Sequence, residues 1–445
     1  MKKMKREIIS LTIYSFTHFW VDLACAYLIY STIAGKDWYI CLLIYNFCAF
    51  ALQMPLGMIA DFWNKNARFA ALGCILVAVS CVLGSDSTPI LVCLIAGTGN
   101  AMFHVGGGLD VLNDCFGGFR FRKKIKNLSQ KRRIDTKQRL IVIRSGKRSF
   151  DKNLQNSEQM IPRCAPLGIF VSPGALGLFL GKMWGQKDVS SLWVPTLLLC
   201  LAAALIFIMN RGVIPPTFAA IPPKTPAAST ALPFQDGILK GYPTVSAKGR
   251  FIDHQMIRYR EERNFKSYEL RKQSRKRSGN AVFSLRMNGG GWIGAGLFFV
   301  VVFRSHISLM LDFDWKSEGL WGIGLIAAVV LGKVTGGFLS DRIGTGRVIF
   351  LSLGLAAILF LFSQIPLVGI IAVFFLNMTM PATLFLMANL FPGAKGFSFG
   401  LLTFALFIGF SIVFSQVTVI PATPLDLFGL CIASIVALCI SMCAE

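Results

Sequence analysis

The chain is broken into twelve apolar runs, most of them close to twenty residues long, and this limits what it can fold into. A helix needs about twenty residues to cross a hydrocarbon core of roughly 30 Å. Lipid offers the backbone no hydrogen-bond partner, so only helices and closed barrels can span it. Barrel strands alternate apolar and polar residues in segments of about ten. These runs mix Leu, Ile, Ala, Phe and Gly without alternation, which predicts helices. Charged residues make up 15% of the chain, against roughly 25% in a water-facing domain. The expected fold is therefore an all-α integral membrane protein of about twelve transmembrane helices. The spans fall at 8–33, 39–60, 68–84, 88–112, 165–183, 190–210, 290–311, 319–338, 347–363, 366–389, 398–418 and 425–443. The first run is too long for a cleaved leader and reads as a retained helix.

A net charge of +23 suggests a nucleic-acid partner until the cations are placed. Of the 45 Lys and Arg, 15 lie in 118–163 and 15 in 211–286. Four precede the first run, and others follow the second, eighth and tenth. With an even helix count, all these segments share one side. That is the positive-inside pattern, and it puts both termini in the cytoplasm. The expected organisation is helices one to four in 1–117, a basic cytoplasmic insertion at 118–164 and helices five and six in 165–212. A basic central loop at 213–288 and helices seven to twelve in 289–445 complete it. The basic segments read as solvated loops near anionic headgroups, with no nucleic-acid partner. An RNA- or lipid-regulatory role is the alternative for them.

Twelve cysteines are scattered without a C-x-x-C, as small hydrophobes would be. Four histidines (His18, His104, His254 and His306) are too dispersed in sequence to predict a metal site. No phosphate-cradling G-x-x-x-x-G-K-[ST] occurs. The glycine runs Gly106–Gly108 and Gly289–Gly291 are expected at helix ends, where they permit close packing or unwinding. No cofactor and no enzymatic activity are expected. An intramembrane enzyme or scaffold remains a rival, but no H-E-x-x-H or G-x-S-x-G supports it.

Two segments repeat. Gly57 and Asp61 end the second run, and Arg68 opens the third. Gly337, Asp341 and Arg342 end the eighth, and Arg347 opens the ninth. This is the mark of internal duplication. The glycine allows close approach; the aspartate can accept from the next helix's amides or pair with the arginine, latching one side shut. Both segments resemble the loop 2–3 and loop 8–9 signature of the major facilitator superfamily. The first differs in carrying Phe62 after the aspartate. The stretch Gly168 to Gly177, with Pro173 and Gly174, is similar to the helix-five motif of drug:proton antiporters, with Ser172 replacing a usual glycine. The stretches Gly99–Gly108 and Phe391–Gly400 resemble the fosmidomycin-resistance type of exporter. The insertion after span four departs from that family, where the loop is short. The resemblance implies two six-helix bundles around a central cavity lined by helices 1, 4, 7 and 10. It also implies proton-coupled export of a small drug or metabolite. The short N-terminus and short outer loops suit a bacterial inner membrane, and a monomer is expected. Import by the same fold is the alternative.

Polar groups inside apolar runs are functional candidates by default, because charge in a bilayer is costly. His18 and Asp22 are four apart and share a helix face, where they can hold and release a proton. His104 is a candidate in span four. Asp110 and Asp114 are expected to be solvated at that helix's end or paired with the basic loop. Arg304 can bind a carboxylate or phosphonate bidentately, so the cargo can be anionic, or the side chain can snorkel outward. Lys333 is expected one turn inside the end of span eight. Asn46 and Gln53 can share a face of helix two. Asn377 and Thr379 precede Pro381, whose freed carbonyls can line a pathway.

Overall fold

The computed structural model describes residues 2–31, 38–84, 88–117, 162–187, 192–210, 290–317, 320–415 and 422–444. Among them all regular structure is helical, and twelve helices match the twelve expected spans one for one. They are α1 (Lys2–Ser31), α2 (Trp38–Trp63), α3 (Asn66–Leu83), α4 (Pro89–Gly117), α5 (Ala165–Gln186) and α6 (Trp193–Asn210). The second set is α7 (Gly290–Met310), α8 (Trp321–Ile343), α9 (Thr345–Phe360), α10 (Pro366–Leu390), α11 (Lys395–Phe414) and α12 (Pro424–Cys443). Ten are long and apolar enough to cross a bilayer, and α6 and α9 are shorter apolar helices. Large apolar side chains such as Trp193, Leu197, Leu351 and Ile440 cover the outside. In water such a surface would aggregate; in lipid it is satisfied. The basic segments expected at 118–164 and 213–288 lie outside the described residues, save for 162–164.

Local chemistry sets several helix ends. Asn64 takes a left-handed conformation (φ 50°) and closes α2 through its N–H to the Ala60 carbonyl at 2.8 Å. Gly344 closes α8 with its N–H to the Ser340 carbonyl at 3.0 Å, at φ 97° and ψ 142°. Only residues tolerant of positive φ fit such caps. At α12, Thr423 and Asp426 cap each other's backbone amides. Inside α2 a π-turn spans Phe47–Ala51, just before Pro55 removes a backbone donor.

Helix packing depends on small residues. Along α5, Gly174, Gly177, Gly181 and Gly185 lie on one face against α1, whose backbone and side chains occupy the space a Cβ would need. Two expectations are corrected at α4. The run Gly106–Gly108 is in the middle of the helix, where Gly106 lets the α3 backbone at Asn66 and Ala70 approach. Asp110 is inside the helix, partly buried, and its described partners are on other helices. It accepts from the Tyr14 hydroxyl at 2.6 Å and the Asn66 amide at 3.0 Å, which lets the helix continue past its apolar stretch.

Candidate functional site

Three polar side chains converge near the middles of α1 and α4. His18 and Asp22 are one turn apart on α1, and their Nε2 and Oδ2 atoms lie 3.2 Å apart. His104 reaches across from α4, with its Nε2 2.8 Å from the Nε2 of His18. Each outer ring nitrogen faces a backbone carbonyl: His18 Nδ1 is 2.7 Å from Phe170 O, and His104 Nδ1 is 2.9 Å from Asn100 O. A carbonyl only accepts, so both Nδ1 atoms carry hydrogen. Two bare Nε2 lone pairs at 2.8 Å would repel. A hydrogen on one Nε2 joins the two rings. In that form the imidazoles together hold three protons and one positive charge. The Asp22 carboxylate, with Oδ1 also 3.7 Å from His104 Nε2, neutralises it. The three residues form a closed unit that shares one labile proton.

Neighbours fix this geometry. The Asn100 amide donates to Asp22 Oδ1 at 3.2 Å and contacts the Tyr45 hydroxyl at 3.3 Å. Pro173 cannot donate to the Ile169 carbonyl, and the Ser172 hydroxyl takes that place at 3.1 Å. A Cβ at Gly174 would run into the His18 imidazole and the Asp22 carboxylate. The neighbouring turn of α5 therefore holds the ring in place. Gly174→Ala is expected to cost about 1–3 kcal/mol of stability through that overlap. Thermal unfolding of the purified protein measures the loss.

The histidines are less dispersed than the sequence suggested. The donor atoms of His18, Asp22 and His104 lie within 4.8 Å of one another, a set that a divalent ion also uses. Two imidazoles on a tetrahedral zinc, with bonds of about 2.0–2.1 Å, stand about 3.3 Å apart. The 2.8 Å separation here is that of nitrogens bridged by hydrogen.

A second polar cluster occupies the other half. Arg304 on α7 is 7% exposed and does not snorkel. Its guanidinium donates to the hydroxyls of Thr379 and Thr383 on α10, at 3.4 and 3.5 Å. Lys333 is ten residues from the end of α8, deeper than expected, because the helix runs on to Ile343. Its ammonium donates to the Val171 carbonyl of α5 at 3.4 Å. Asn46, Gln53 and Asn377 each bond a carbonyl four residues earlier in their own helix and do not join either cluster.

The repeated aspartates also differ from expectation. Asp61 does not cap the next helix. It crosses to the other half and accepts from Gly396 N at 2.8 Å and Phe397 N at 2.9 Å, at the start of α11. Asp341 does the reciprocal, accepting from Cys164 N at 2.5 Å and Ala165 N at 3.2 Å at the start of α5. Each carboxylate faces the positive end of a helix dipole. Gly57 faces Gly396 at one crossing, and Gly168 faces Gly337 at the other, with no room for a Cβ. Lys395 extends the first contact, bonding Asn113 at 3.1 Å and covering the Phe116 ring. Arg68, Arg342 and Arg347 point outward, and among the described residues none pairs with either aspartate.

Sequence reasoning missed Asn100, Tyr45 and the Phe170 carbonyl. Asn100 had one signal, its place a helical turn before His104; the others had none. No known family pattern and no curated protein sequence matches the chain. Among solved structures it is similar to a major facilitator superfamily transporter, FucP, in the outward conformation. The TM-score is 0.54 at 10% identity over 99% of each chain. The E. coli fucose:proton symporter FucP, as a single-residue variant, aligns at TM-score 0.47 and 14% identity over 98% of this chain and 99% of that one. This chain has the fold of the major facilitator superfamily.

Proposed function

We propose that the chain is a secondary active transporter that uses proton movement to export a small molecule by alternating access. The supporting observation is the His18–Asp22–His104 centre, a neutral unit holding one exchangeable proton between two helices of one bundle. A proton-coupled carrier needs a group whose charge changes as the bundles reorient. Losing the shared proton leaves this centre negative, and gaining it restores neutrality. The reciprocal aspartate latches supply the other requirement, a contact between halves that can be made and broken. The fold shared with a superfamily transporter is in keeping with this reading. Export is favoured by the likeness of Gly168–Gly177 to the antiporter motif. The distribution of Lys and Arg assigns the latch face, and both termini, to the cytoplasm. The protein would act as a monomer in a bacterial inner membrane.

The test is a flux measurement in liposomes carrying the full chain and loaded with a metabolite mixture. With an imposed pH gradient, at least one solute is expected to move against its own gradient. Collapsing the pH gradient with nigericin should stop it. Unchanged contents under both conditions would remove proton-coupled transport from consideration.

A further inference from the structure

Resting on the transporter reading, we infer that the cargo carries a doubly negative oxyanion head that binds between Arg304 and Lys333. Arg304 is buried, and its only described bonds are two long ones to neutral hydroxyls. Those hydroxyls donate elsewhere, Thr379 to Leu376 O at 2.7 Å and Thr383 to Met380 O at 3.0 Å. They can therefore only accept from the guanidinium, and they orient it without neutralising it. Lys333 has one long bond to a carbonyl. Among the described residues, no carboxylate lies within salt-bridge distance of either cation. The two are close enough to feel each other's charge, and Lys333 also feels Asp22.

A buried cation and a partly buried one, close together without a counterion, are unfavourable. They persist where a ligand supplies the missing charge. The Asp22 carboxylate is engaged by the two imidazoles and lies beyond salt-bridge distance of either cation. The deficit is two, so the complementary ligand is a dianion. Arg presents a planar fork suited to a pair of oxygens, and Lys adds a point charge. A phosphoryl group and a pair of carboxylates share this chemistry. Lys333 also grips α5 of the other half through Val171. An anion that draws the ammonium away loosens this contact between halves, which links binding to reorientation.

The test is thermal unfolding of the full chain in phosphatidylcholine nanodiscs, which carry no anionic lipid. Glycerol 3-phosphate or succinate at millimolar concentration is expected to raise the wild-type Tm by several degrees. L-fucose, which is neutral, is expected to leave it unchanged. Arg304→Gln and Lys333→Gln should each raise the Tm of the ligand-free protein, by removing the repulsion, and abolish the anion response. A shift by glycerol 3-phosphate alone assigns a phosphoryl head; a shift by succinate alone assigns two carboxylates. A wild type that responds to neither anion, or a variant that loses ligand-free stability and still responds, overturns the inference. Unfolding requires no flux. A chain that binds the anion without moving it fails only the transport reading; one that moves neutral solutes and ignores anions fails only this one.

Discussion

Asp22→Asn is expected to reduce proton-driven accumulation of the transported solute by about 100-fold or more, while exchange of labelled for unlabelled solute stays within a few-fold of wild type. The carboxylate neutralises the proton shared by His18 and His104. Without it, a cationic imidazole pair would be buried with no counterion, in a bundle that also faces Lys333. Removing one partner of a buried pair typically costs about 3–5 kcal/mol, and a tenfold change corresponds to about 1.4 kcal/mol. The imidazoles escape that cost by releasing the proton. The variant then presents one charge state in every conformation and cannot convert a pH gradient into work. Binding and exchange need no net proton movement, so they survive. The amide is nearly isosteric, still accepts from Asn100 and turns its NH2 toward the freed Nε2 of His18, so the two rings part slightly while the local fold is expected to hold. Full pH-driven accumulation by Asp22→Asn would show that the coupling proton resides elsewhere.

The second large effect concerns the latches. Asp61→Asn combined with Asp341→Asn is expected to shift the population toward the latch-open state by about a thousandfold. Each carboxylate accepts two backbone N–H groups at a helix start. Hydrogen bonds to a charged group are worth about 1.5–3 kcal/mol each, and an asparagine keeps one accepting oxygen while turning an NH2 toward a second donor. About 2 kcal/mol lost per site gives about 4 kcal/mol for the pair. Arg68→Gln and Arg342→Gln are expected to change the population less than threefold, because both side chains are exposed and leave the aspartates alone. Thiol-reactive labelling of a cysteine introduced at Phe399, which is buried where α11 of one half meets Gly108 of α4 in the other, measures the open fraction. Equal labelling in the double aspartate variant and the wild type would show that the latches do not hold this face closed.

Helix existence was legible because each apolar run had to satisfy its backbone internally, and length alone then decided the element. Helix ends were not. Apolarity stops near 112 in α4 and 338 in α8, but the helices run to Gly117 and Ile343. There Asp110 and Asp341 find partners on other helices. His18 and Asp22 were legible as a pair because a four-residue spacing places them on one face. The contribution of His104 was not legible, since contact across helices depends on how α1 and α4 cross. The latch was half legible: repetition marked Asp61 and Asp341, but their acceptor roles involve amides 335 and 177 residues away. Local sequence cannot reveal such a partner. The charge deficit around Arg304 and Lys333 was hidden for the same reason, because it consists of carboxylates that the fold does not bring near.

Pulsed electron–electron distances across both faces report whether the two ends of the molecule open in turn. Spin labels at Asn64 and Gly393 report the latch face, and labels at Thr88 and Ser317 report the opposite one. The exposed Cys200, Cys439 and Cys443 are replaced by serine. Two populations are expected at each face, one face opening as the other closes, with a ratio that changes between pH 5 and pH 8 (about one unit or more either side of an ordinary histidine). In Asp22→Asn the ratio should no longer depend on pH. A single unchanging distance at both faces, or faces that open together, would contradict alternating access driven by the proton at His18, Asp22 and His104.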